Sequence, residues 1–205
     1  MELPMFPLGT VLFPGAVIPL HVFEPRYRAL TGWCLEHDSR LGVVLIERGS
    51  EVGGGDARFA VGTQGRIVES VALPDGRWVL AVAGERRIRV HAWLGEEPFP
   101  RAEVAYLDDE PAPSQDVVVR DGIEQRARRA LMLKADLGEW PPDAVAPQLD
   151  ADPTVAGWQV GGLGLLGPAD GQRLLEADPV GERLVLLASL LDDAIELLAL
   201  RATGR

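Results

Sequence analysis

Proline placement in the first thirty residues constrains this chain more than any other feature. Residues 3–30 read LPMFPLGTVLFPGAVIPLHVFEPRYRAL, with Pro4, Pro7, Pro14 and Pro19 set among apolar and β-branched side chains. Each proline removes a backbone donor and fixes φ, so no helix runs through this segment. Short strands joined by turns are the remaining reading. Phe13-Pro14-Gly15 has the residues of a tight turn, and an apolar strand is expected from Val17 to Phe23. At Glu24-Pro25 the period changes, and Tyr27, Leu30 and Cys34 follow at helical spacing. Pro25 suits the first turn of that helix, where its missing N–H costs nothing. The segment therefore reads as strand, turn, strand, helix.

The chain stays β-rich up to residue 107. Leu41 to Ile46 is a short, continuous apolar run, as expected of a buried strand. Residues 49–56 (GSEVGGGD) read as a loop. Thr63 to Leu73 and Trp78 to Val82 flank the turn signal Pro74-Asp75-Gly76 and predict a hairpin. The stretch RRIRVHAWL alternates charged and apolar residues, the mark of a half-buried strand. Glu97-Pro98-Phe99-Pro100 turns the chain before a last strand over 101–107. Six or more short strands with mostly hairpin connections predict a mixed, largely antiparallel barrel.

Residues 108–116 (DDEPAPSQD) break every period and read as a linker between a domain over 1–107 and a helical domain over 117–205. In that second half Ile123, Ala127, Ala130, Leu131 and Leu137 mark one helix face, with Gly138 as its stop. A proline- and aspartate-rich connection covers 140–153, and weaker helices follow over 154–166 and 170–176. Asp178-Pro179 predicts an N-cap followed by proline at the first helical position. Leu184, Leu187, Leu191, Ile195 and Leu198 then form a broad apolar face. The fold class is α+β, a barrel followed by a C-terminal helical bundle.

Charge narrows the partners. The net charge is −11, with 11 Arg against 13 Asp and Glu in residues 1–107 and 9 basic against 18 acidic residues in 108–205. A surface that tracks phosphates needs a basic excess, so nucleic acid is not the expected partner. No apolar run reaches the roughly 18 residues that would span a bilayer, and no membrane contact is expected. The N-terminus lacks a basic segment followed by an unbroken apolar core, so no signal peptide is expected. One cysteine, Cys34, excludes an internal disulfide and suits a reducing, cytoplasmic setting.

Catalytic patterns are weak. Gly162, Gly164 and Gly167 spell G-x-G-x-x-G, but the motif needs a preceding strand and here runs between helical segments into Pro168. Helix packing accounts for it better than a dinucleotide. No serine lies in G-x-S-x-G, and a Ser–Lys pair would have only Lys134 to draw on. Cys34 and His37 stand one helical turn apart, yet a reactive thiolate needs a third orienting group. With three histidines and no C-x-x-C, a metal site and a cofactor are not expected. His21 and Glu24 read as a hydrogen-bonded pair at the strand-to-helix corner.

The run LPMFPLGTVLFPG followed by PLHVFEPRYRAL resembles the opening of the Lon protease N-terminal domain, the substrate-binding domain of that protease. FAVGTQGRIVE, LPDGRWVLAVAGERRIRV, PFPRAEVAYLDDE and QRLLEADPVGERLVLL continue the likeness over nearly the whole chain. The resemblance implies a PUA-like mixed β-barrel and then a helical bundle. In full-length Lon proteases this domain precedes an ATPase and a Ser–Lys peptidase module, and neither a phosphate loop nor a candidate dyad occurs here. The expectation is a stand-alone, non-catalytic module that binds apolar or unfolded polypeptide or a larger protein partner. A small-molecule ligand in the barrel mouth is the alternative, and self-association stays open. Phe13, Pro14, His21, Phe23 and Tyr27 are expected to divide between core and barrel rim. Trp158 is the candidate anchor from the helical half, since tryptophan often carries protein contacts.

Overall fold

The structure is a computed structural model that describes residues 1–49, 55–109, 116–141 and 148–204. Much of the predicted 49–56 loop, of the 108–116 linker and of the 140–153 connection lies outside the described residues. Two compact units are formed, Met1–Asp108 and Asp109–Arg205. The fold is a mixed α+β one.

Unit one contains β1 (Glu2–Leu8), β2 (Val17–Val22), α1 (Pro25–Glu36), β3 (Arg40–Arg48), β4 (Ala57–Ala72), β5 (Trp78–Gly95) and β6 (Arg101–Leu107). They form one six-stranded sheet in the order β2-β5-β4-β3-β1-β6, and β6 pairs with β5 as well as with β1. Five strands thus form a closed cycle of pairings. β2 hangs from the first half of β5 and is the one strand with a single strand partner among the described residues. Among the described residues only β1–β3 is a parallel pair. β1 is buried along nearly its whole length, as expected of a strand covered on both faces.

Each early proline sits where its missing N–H is harmless. Met5 N donates to Pro100 O at 2.8 Å, so odd residues of β1 turn their polar groups toward β6 and even ones toward β3. Pro4 faces the β3 side one residue before that pairing begins at Met5, and Pro7 faces the β6 side after that pairing has ended. Pro19 faces the unpaired edge of β2. Pro14 lies in the turn that Ala16 N closes onto Phe13 O, and Pro25 opens α1.

β5 is one eighteen-residue strand, where the sequence suggests two pieces broken near 83–85. The register against β4 passes from Gln64↔Arg86 to Gly65↔Gly84, leaving Glu85 as the extra residue of a bulge. The strand bends there instead of ending. Gly84 is also where β2 enters: its N–H donates to Ala16 O at 2.8 Å, its carbonyl accepts from Gly15 N at 2.9 Å, and an added Cβ would stand 2.2 Å from Phe13 O. The core of this unit joins Phe6, Leu8, Leu20, Val22, Tyr27, Leu30, Cys34, Val43 and Val82, so α1 packs its buried face onto the sheet.

Unit two holds α2 (Asp116–Asp136), α3 (Pro153–Gly161), α4 (Pro168–Glu176) and α5 (Val180–Thr203). Ile123, Ala127, Ala130 and Leu131 of α2 are buried, as are Leu184, Leu187, Leu191, Ile195 and Leu198 of α5. Gly138 stops α2 with φ +75°, and Glu139 N donates back to Lys134 O. The Asp152 side chain caps α3 by accepting from Thr154 N at 2.8 Å. Pro179, not Asp178, is the N-cap of α5; the Asp178 carboxylate turns toward Arg183 instead.

Candidate functional site

A cavity of about 540 Å³ opens beside β2. Its walls are Phe6 and Leu8 of β1, Thr10, Ile18 through Val22 of β2, then Phe23, Glu24 and Tyr27 at the start of α1. The strand pattern sets which side chains reach it and how. Leu20 and Val22 point into the core, whereas Val17 and Phe23 are 59% and 54% exposed. The lining is mainly hydrocarbon, and polar groups enter from Thr10, His21 and Glu24.

Tyr27 forms the floor. Its ring stacks on Phe6 with centroids 4.1 Å apart, and the Arg26 guanidinium lies 4.5 Å from the ring centroid on the other contact. Burial pushes the Tyr27 phenol up to about 12, Arg26 opposing and Glu24 reinforcing that shift. The hydroxyl is therefore a neutral group at physiological pH, unsuited to act as a base. Glu24 is paired with Arg26 Nε at 3.2 Å, which replaces the expected His21–Glu24 bond. Only Pro25 separates Glu24 from Arg26, and the guanidinium offers the carboxylate a charged donor.

Of the residues singled out from sequence, His21, Phe23 and Tyr27 line this one cavity. Phe13 is buried, and Pro14 is half-buried in the preceding turn. Trp158 is buried inside the helical unit, where its indole N–H donates to Asp109 Oδ2 at 2.9 Å and Arg183 covers its ring at 4.1 Å. These contacts give Trp158 a structural part there. Phe6 and Ile18 stand out in the sequence only as apolar residues of core or rim, and Leu8 and Thr10 not at all, because nothing local says that the end of β1 lines the same cavity as β2.

A second cavity of about 440 Å³ in the same unit is lined by Glu2, Pro4, Trp33, Pro98, Phe99 and Arg101. Its two charges neutralise each other through Arg101 Nη1–Glu2 Oε1 at 2.9 Å, and both flanking strands are paired there. It offers a ligand less than the first.

The catalytic candidates are engaged elsewhere. Cys34 is buried, donates to Arg40 O at 3.2 Å, and is pushed up to about 12 by burial, with Asp38 adding to the effect. His37 turns away from it, with its Nδ1 2.6 Å from Trp33 O and its ring stacked on that indole. Lys134 Nζ donates to Gly164 O at 3.0 Å. Gly162 ends α3 and Gly167 caps α4, so the glycine motif joins two helices and follows no strand. No group of three metal-ligating side chains converges among the described residues, and no described helix is long and apolar enough to cross a membrane.

The family model of the ATP-dependent protease La (LON) substrate-binding domain matches residues 2–193. The chain belongs to that family. It is 29% identical to the Lon protease of Cytophaga hutchinsonii over 97% of its own length, and 30% identical to the Lon protease of Escherichia coli K12 over the same share. It spans about a quarter of the length of both relatives. Among solved structures, a Lon N-terminal domain protein from Xanthomonas campestris superposes with a TM-score of 0.64 at 29% identity, covering 92% of this chain and 98% of that one. The N-terminal domain of a Mycobacterium avium complex Lon protease superposes at 0.67 over 94% and 99% of the two chains; at 21% identity it speaks for the fold alone. Membership of a substrate-binding family supports a substrate-recognition role.

Proposed function

We propose that this chain recognises polypeptide and catalyses nothing itself, and that the cavity beside β2 is where it takes apolar side chains of its target. The observation that carries the reading is an apolar-walled cavity in a substrate-binding family, flanked by the exposed Phe23 and His21. On this reading the closed cycle of strands is a PUA-like barrel, 108–116 is a linker, and the reduced, buried Cys34 fits a cytoplasmic setting. The direct test is anisotropy of a labelled, permanently unfolded polypeptide such as reduced and carboxymethylated α-lactalbumin. Phe23→Ala should weaken binding roughly tenfold, the equivalent of about 1.4 kcal/mol. The chain should neither hydrolyse ATP nor cleave casein. A cavity of this size also suits a small ligand. That second reading replaces the first if metabolite-sized compounds bind the cavity and unfolded polypeptide does not.

A further inference from the structure

The hydrogen-bonding register of β2 specifies how a bound chain would lie. Ala16 O accepts from Gly84 N, and antiparallel alternation then turns the polar groups of Ile18, Leu20 and Val22 toward β5. Those of Val17, Pro19 and His21 point the other way, to the side where β2 has no strand partner among the described residues. This open edge presents three carbonyls and two amides, proline supplying none. The cavity is lined by consecutive residues from Ile18 to Glu24, which belong to both faces of the strand. It therefore runs along the edge of β2 and not over one face.

We propose that an extended polypeptide adds to this edge as a seventh, antiparallel strand. Backbone bonds would form at Val17, Pro19 and His21. The peptide side chains opposite Ile18, Leu20 and Val22 would enter the cavity against Phe6 and Leu8, and the alternate ones would stand with Val17 and His21 toward water. The fitting target is thus a segment with apolar residues at every second position. A second copy of β2 fits poorly. With Val17 opposite His21 the two Pro19 residues face each other and both central bonds are lost. A shift of two residues leaves one bond per pair. An unfolded chain, with an N–H at each position, is the better complement.

The inference rests on the proposed polypeptide binding, and its test separates the two. The probe is an acetylated, amidated octapeptide of alternating leucine and threonine with a terminal lysine. Val17→Pro and His21→Pro each delete one outward amide without touching the β5 ladder, and each should weaken binding at least tenfold. Val17→Ala, whose side chain lies outside the cavity lining, keeps the amide and should stay within about threefold. Independently of any folding defect, the unmodified protein should reject peptides N-methylated on threonine, whose N–H faces β2, and accept those methylated on leucine. Indifference to the methylated position, with Phe23→Ala still harmful, overturns strand addition and leaves polypeptide binding intact. Absence of any peptide binding overturns both. Concentration-dependent protection of the Val17 and His21 amides without peptide would mark a second copy as the occupant and also refute the proposal.

Discussion

Asp109 holds together the most buried charge of the helical unit, and removing it should cost more than a surface ion pair does. Arg183 is 1% exposed. Its Nη2 donates to Asp109 Oδ1 at 2.7 Å, its Nε to Ala177 O at 3.0 Å, and its plane lies over Trp158. The other Asp109 oxygen takes the Trp158 N–H, so one carboxylate serves two buried donors. Asp109→Ala removes that acceptor from both. Breaking a buried pair costs about 3–5 kcal/mol. The low end applies, because Ala177 O and Asp178, 3.4 Å away, still attend the guanidinium. At a urea slope of about 1–3 kcal/mol per molar, a loss near 3 kcal/mol lowers the unfolding midpoint by about 1–3 M. Asp109→Asn keeps the shape but turns its amide toward one donor, and should fall between the variant and the wild type. Equilibrium urea unfolding followed by tryptophan fluorescence measures both. A loss below about 1 kcal/mol for Asp109→Ala would place the pair among exposed ones and refute the structural part assigned to Trp158.

Gly84→Ala would set a methyl group 2.2 Å from Phe13 O, so β2 must shift off β5. A loss of roughly 1–3 kcal/mol is expected in urea unfolding, and an unchanged midpoint would contradict the close approach. Cys34 remains a thiol to about 12 in the fold, against an ordinary value of 9.0. Because folding raises that pKa, the stability it contributes is complete below about pH 9 and declines as pH rises toward 12. Cys34→Val should therefore lose less stability than the wild type between pH 8 and 10.5, and equal slopes would contradict the burial argument. Limited proteolysis should cut first within 108–116 if that stretch is a linker; a first cut inside 60–107 would contradict the domain division.

The elements were readable where one local rule decides them. Proline spacing marked β2 and α1, the Pro74-Asp75-Gly76 turn marked the β4–β5 hairpin, and leucine periodicity marked α5. The sequence of β5 reads as two pieces because Gly84 and Glu85 look like a break, and only the partner strand turns them into a bulge. Asp178 has the chemistry of a cap, but the buried Arg183 competes for its carboxylate. The cavity was legible from one side only. His21, Phe23 and Tyr27 stand at the strand-to-helix corner that the proline spacing marks, whereas Phe6 and Leu8 read as ordinary core residues. Packing in one core brings the end of β1 and β2 to the same cavity, though neither strand pairs with the other, and no short pattern encodes it.

The most direct test of the account is residue-resolved amide mapping of the isotopically labelled protein as unfolded polypeptide is added. The account predicts that the amide resonances of Thr10, Ile18, Leu20 through Glu24 and Tyr27 shift together and saturate at one concentration, which rises roughly tenfold in Phe23→Ala. Shifts confined to the helical unit, or centred on Trp33 and Phe99 of the second cavity, would contradict it.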